Sequence, residues 1–349
     1  MAVTGIETMK VSVAMITYNH EKYIAQAIES ILSQDVRFDY EIVIGEDLST
    51  DRTRAVVMDF QRRYPDRIRL LLRDHNVGSV RNFADTIEAC QGEYLALLEG
   101  DDYWICNNKL QMQVDFLDAH PEYAICCGRA RTLYESDMLD CGRNVGDVLP
   151  ALPAGRYTID DMLTSIFAPT ATVVLRRRSI PPFPQWFLEM KMGDWPLFAL
   201  TARSGFIQLM DEVLSIYRIH AGGLWTSMPS LTGRKECIRM LTALDKELQY
   251  RHHSTVRATI ARLYLLMAAT SRSQNRWIDT AKYLFACVCN GGWRGAAHPR
   301  TISGRIAFGL MKCWSGVYRA GNALIGPIWL AVHRQFSDSP PYAWKDEQK

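Results

Sequence analysis

Three carboxylates in four residues, Glu99, Asp101 and Asp102, follow directly on the apolar run Tyr94-Leu95-Ala96-Leu97-Leu98. Mutual repulsion makes such a cluster costly unless something offsets it. A divalent cation bridging two phosphates would do so, and Mg2+ or Mn2+ prefers oxygen ligands of this kind. The competing use is an acid-rich helix start, since a helical stretch opens nearby at Asn107. Asp47 follows a second apolar run, residues 40–44, and can accept a hydrogen bond from the imide N–H of a base such as uracil. Capping of the next helix by Ser49 or Asp51 competes with that use. A third run, residues 11–17, leads into Thr17-Tyr18-Asn19-His20, of which the polar Thr17, Tyr18 and Asn19 offer side chains to a base or ribose. Asn76 and Gly78 read either as a ligand loop or as plain turn chemistry. Arg81, just beyond, reads as a substrate contact or a solvated charge.

These residues need a scaffold that gathers loops at one edge. Residues 11–17, 40–44, 68–72 and 94–98 are short apolar runs, the pattern of strands buried on both faces. Between them, residues 21–33, 51–64 and 79–89 carry apolar side chains at helical spacing. Strand and helix alternating in this way imply right-handed crossovers and a mainly parallel α/β sheet covered on both faces. Ligands of such sheets bind at the carboxyl ends of the strands, where every residue named above lies. Further on, residues 107–119 and 194–203 read as helices, and residues 123–130, 171–175 and 214–219 as strands. From about residue 230 helical periodicity prevails.

Composition narrows the function. A formal net charge of +2 over 349 residues lacks the basic excess of a nucleic-acid binder. No glycine stands between Val11 and Gln34, which counts against the glycine-rich turn of a dinucleotide-binding domain. Nine cysteines, an odd number without framework spacing, and an N-terminus without a signal-peptide pattern lead us to expect reduced thiols in the cytoplasm. Cys287 and Cys289 have no second pair at zinc spacing.

The ordered series Thr17-Tyr18-Asn19, Asp47-x-Ser49-x-Asp51-x-Thr53, Asn76-x-Gly78 and Glu99-Gly100-Asp101-Asp102 resembles the family 2 glycosyltransferases of the GT-A fold, over roughly residues 10–225. The resemblance implies an inverting hexosyltransferase that moves a sugar from a nucleotide-sugar, a UDP-sugar by family habit, to a hydroxyl acceptor on a lipid-linked or polysaccharide glycan of the cell envelope. It implies a donor site of Thr17, Tyr18, Asn19, Asp47, Ser49, Asn76, Arg81, Asp101 and Arg218. It further implies Mn2+ or Mg2+ held by Asp101, Glu99 and His220. An inverting member also needs a general base, for which Asp194 in Met192-Gly193-Asp194-Trp195 is the candidate, an ordinary helix cap being the other reading. His220 and Arg218 belong to Tyr217-Arg218-Ile219-His220, which resembles the loop closing the donor site in relatives. Two departures stand out: Leu48 replaces the usual glycine after Asp47, and Glu99 replaces the first aspartate of the metal motif.

These readings give a catalytic domain over residues 1–230 and a helical region over 231–349 that associates with a membrane or a partner. Phe308, Trp314, Val317, Ile325 and Trp329, with Lys312, Arg319 and Arg334, suit contact with the inner face of the plasma membrane. Packing on the catalytic domain is the alternative. Two other functions stay open: a sugar nucleotidyltransferase, which would want a glycine- and basic-rich loop after the first strand, and a non-catalytic nucleotide-sugar-binding relative.

Overall fold

The structure is a computed structural model, and it describes residues 9–135 and 147–291. Two compact units divide the chain, Met1–Thr255 and Val256–Lys349. The expected membrane-facing residues 308–334 lie outside the described residues, as do Cys141 and Cys313.

The first unit opens with the expected alternation: β1 (Val11–Thr17), α1 (Ile24–Leu32), β2 (Tyr40–Glu46), α2 (Thr53–Arg63), β3 (Ile68–Leu72), α3 (Ser79–Ala89) and β4 (Tyr94–Glu99). β1 runs parallel to both β2 and β4, and β2 parallel to β3. Every residue of β2 is buried, and all but Ile16 in β1, which is why these strands read as mainly apolar runs without the alternation of a half-exposed strand. α1 covers them with Ile24, Ala27, Ile28 and Ile31. Each buried isoleucine stabilises the layer by about 2 kcal/mol.

The second half of the sheet departs from the parallel scheme. β5 (Tyr103–Trp104), α4 (Lys109–Ala119), β6 (Tyr123–Tyr134), β7 (Val148–Leu149), β8 (Gly155–Tyr157), α5 (Ile159–Thr164), β9 (Val174–Arg176), α6 (Gln185–Leu188), α7 (Asp194–Thr201) and β10 (Phe206–Ile219) follow. The sheet order is β3-β2-β1-β4-β9-β6-β10-β5. β9 is antiparallel to both β4 and β6, β6 and β10 are parallel, and β5 returns antiparallel on β10. Two-residue β5 is too short to leave a period in the sequence. Its pairs, Tyr103 with Ile216 and Trp104 with Ser215, nonetheless bring the chain just before β5 alongside the end of β10.

After β10 come α8 (Leu224–Ser227) and α9 (Ser230–Glu247), then α10 (His253–Ser273), within which the second unit begins, and α11 (Trp277–Cys289). In the second unit Ala261, Leu265 and Cys287 form a small core, with Tyr264 and Leu284 packed against it. Among the described residues, no helix is long and apolar enough to cross a membrane.

Candidate active site

The loops after β1 and β2 are tied together by side chains. Ser49 Oγ accepts from the Asn19 amide at 3.0 Å, and Asn19 Oδ1 accepts from the Thr50 amide at 2.8 Å. Asp47, buried, accepts from the amides of Val77 at 2.7 Å and Gly78 at 3.0 Å, while Asn76 Nδ2 donates to the Asp47 carbonyl. Asp47 therefore fixes the turn after β3. Asp51 accepts from the amides of Thr53 and Glu21, which is the capping use. Asn19 and Leu48 both sit at φ +57, a conformation a leucine adopts only at a cost, and the network just described holds them there. Tyr18 is exposed beside them, and Arg81 pairs with Asp85 along α3 at 2.8 Å.

The acidic loop lies at the end of β4. Asp101 Oδ2 is 3.0 Å from His220 Nε2 and 3.7 Å from His20 Nε2. Burial alone would raise the Asp101 carboxyl, but the His220 hydrogen bond and the two imidazoles hold it below the ordinary carboxylate value. Glu99 is pushed up to about 8, by burial first and then by the charges of Asp101 and Asp194, and its Oε2 is buried without a partner. Asp194 begins α7, where Thr170 Oγ1 lies 3.4 Å from its Oδ2, and burial raises its carboxyl too. Gly100 permits the close approach: a Cβ there would meet Thr17 Oγ1 at 2.6 Å and His20 Nδ1 at 2.9 Å.

Asp102 serves the frame. It is buried and accepts from the Arg218 amide at 2.8 Å. The Arg218 side chain, expected in the donor site, is also engaged within the protein. It donates to the Asp101 carbonyl at 2.9 Å and to Gln26, and its guanidinium lies between the rings of Tyr23 and Tyr103 at 4.7 and 4.8 Å. Glu135 stands 3.2 Å away, within ion-pair range but not aligned as a hydrogen bond.

Among the described residues, no three His, Cys, Asp or Glu side chains form a ready cage for a metal. The orphaned Glu99 oxygen, the carboxylate of Asp101 and the His220 imidazole still suit a cation such as Mg2+ or Mn2+, which takes few protein ligands and completes its shell from substrate phosphates and water.

Against known proteins, the sequence model of Glycosyl transferase family 2 matches residues 12–178. TuaG of Bacillus subtilis, a glycosyltransferase named for teichuronic acid biosynthesis, is 33% identical over 60% of this chain and 79% of its own. The chain belongs to glycosyl transferase family 2. The Mycobacterium tuberculosis protein Rv1520 is 37% identical over 62% of this chain, and the match spans 60% of that relative's length. Staphylococcus aureus TarS 1-349 in complex with UDP-GlcNAc shares the GT-A fold, with a TM-score of 0.58 at 18% identity over 80% of this chain and 82% of that one. The family match ends before Asp194, Arg218 and His220, so these three are tied to the family's acidic loop by the geometry above. His20 and Thr170 were not among the expected residues. His20 had a signal, its place directly after Thr17-Tyr18-Asn19, whereas Thr170 had none.

Proposed function

We propose that the chain transfers a hexose from a nucleotide-sugar to a hydroxyl of a lipid-linked or polysaccharide glycan, with inversion at the anomeric carbon. The observation that carries this reading is the meeting of Asp194, Glu99 and Asp101 at one sheet edge, with His220 on Asp101. On this reading one carboxylate takes a proton, and the others would hold a cation that in turn neutralises a diphosphate. A UDP-sugar is the proposed donor, supported by the UDP-GlcNAc bound to TarS. A cell-envelope glycan as acceptor is supported by the role for which TuaG is named.

Asp194 takes the proton of the acceptor hydroxyl, and that oxygen attacks the anomeric carbon. The bond from this carbon to the diphosphate breaks, and its electron pair leaves with the nucleoside diphosphate. A raised carboxyl pKa makes Asp194 a stronger base than an ordinary aspartate. Mn2+ or Mg2+, held by Asp101, Glu99 and His220, would supply neutralisation of the charge developing on the leaving diphosphate. Asp47, Tyr18, Asn19, Ser49, Asn76 and Thr17 line or shape the base and ribose end of the site. Arg81 and Arg218 border the site, each held by protein partners in the free chain.

Activity on the cytoplasmic face of the plasma membrane is part of the same proposal, because a lipid-linked acceptor is presented there. Replacing Asp194→Asn tests the base assignment. Transfer is expected to fall at least about a thousandfold while donor affinity holds within a factor of about three. Near-normal turnover in that variant would remove Asp194 from the mechanism.

A further inference from the structure

α11 turns one face to the small core of the second unit and leaves another open. Thr280, Ala286 and Cys287 are buried, and Leu284 packs on the core that Cys287 forms with Ala261 and Leu265. At 3.6 residues per turn, Trp277, Ile278, Ala281, Phe285 and Val288 fall within one arc of about 120° on the far side. Ile278 is 68% exposed, Trp277 60% and Val288 54%, with Phe285 also exposed. Leu266 adds a further exposed apolar side chain on α10. A scattered exposed leucine needs no explanation, but a helix-long apolar stripe ending in an interfacial tryptophan does.

The charges nearby are mostly basic. Between Val256 and Gly291 stand Arg257, Arg262, Arg272, Arg276 and Lys282, against the single acid Asp279. Asp279 is itself paired with Arg276 at 2.6 Å. Arg262 precedes Leu266 by one turn on α10, and Lys282 borders the stripe on α11. An apolar face bordered by cations, with almost no acid, complements an anionic bilayer surface. A second copy of the same face would set like charges against each other, which disfavours self-association.

We propose that the open face of α11, together with the basic residues of α10 and α11, docks on a lipid surface carrying anionic headgroups. The proposal rests on the reading of the acceptor as lipid-linked, and it places the docking surface on helices that the family match does not cover. Trp277, Ile278, Phe285 and Val288 enter the acyl boundary, and the basic side chains meet the headgroups.

The test is co-sedimentation of the full chain with vesicles, alongside nucleotide-sugar binding in solution. With phosphatidylglycerol in phosphatidylcholine vesicles at low salt, most of the protein is expected in the pellet. Pure phosphatidylcholine or high salt should release it. The double variant Trp277→Gln, Ile278→Gln should bind anionic vesicles about tenfold or more weakly, with its circular dichroism and donor affinity unchanged. Three results would each overturn the proposal: parent protein left in the supernatant, a variant that pellets like the parent, or binding indifferent to lipid charge. So would a parent dimer that the variant splits into monomers without vesicles, since the face would then join two copies. Donor binding that persists through any of these failures leaves the transferase reading standing, and its loss alone would count against that reading instead.

Discussion

Glu99 concentrates the electrostatic cost of the site. In the folded chain its carboxyl is pushed up to about 8, whereas the ordinary value is 4.5. The native state therefore keeps a proton that the unfolded chain has already lost between these values, and stability without metal falls as the pH rises across that window. Asp102 and Asp194 are also raised by burial and push in the same direction. Urea midpoints in EDTA should thus be higher near about pH 5 than near about pH 8, and Glu99→Gln should flatten part of the fall. Buried His20 and Lys109, both lowered by burial, push the other way, so the decisive comparison is between parent and variant: a pH dependence unchanged in Glu99→Gln would mean that Glu99 is solvated and ionised. The two departures from the family pattern can also be placed at this scale. Glu99, one methylene longer than aspartate, keeps its carboxylate beside Asp101 and Asp194, and Leu48 occupies a backbone conformation suited to glycine.

At the scale of elements, β10 and the loop after β4 work as a unit. β5 pairs with β10 at Ser215 and Ile216, so the chain two to four residues beyond reaches back over Asp101 and Asp102. Arg218 locks that arrangement by joining α1 through Gln26, the acidic loop through the Asp101 carbonyl, and the end of β6 through Glu135. Arg218→Met should lower unfolding stability by about 3 kcal/mol, because it strands several polar groups at once. Arg218→Lys should recover only part of this, since an ammonium lacks the planar fork and stacks less well between Tyr23 and Tyr103. Thermal melts of both variants would check it, and a Met variant melting like the parent would show that Arg218 is not a clamp. None of this was legible in the sequence. Tyr217-Arg218-Ile219-His220 marked a loop of interest, but the direction of the Arg218 side chain depends on a two-residue strand pairing from the far side of the chain.

Over the whole molecule, legibility followed local pattern. β1 to β4 with α1 to α3 could be read from residues 11–98 because strands buried on both faces and amphipathic helices leave contrasting periods. The loops after β1, β2 and β4 followed from strand ends alone, which is why Asp47 and Asp101 could be named as candidates from the sequence. The mixed second half was less legible, since β7, β8 and β9 are only two or three residues long and owe their existence to neighbours. The strand expected over residues 171–175 is in part a 3-10 turn, Thr170–Thr172, and that turn carries the hydroxyl beside Asp194. The metal-dependent nucleotide-sugar site proposed at this sheet edge can be probed by titrating the full chain with UDP-, GDP- and dTDP-sugars, with Mn2+ or with EDTA. One donor class should bind, at least about tenfold more tightly with metal. Donor binding equal in EDTA and Mn2+ would contradict the role of Glu99, Asp101 and His220, and binding of no nucleotide-sugar at all would contradict the site itself.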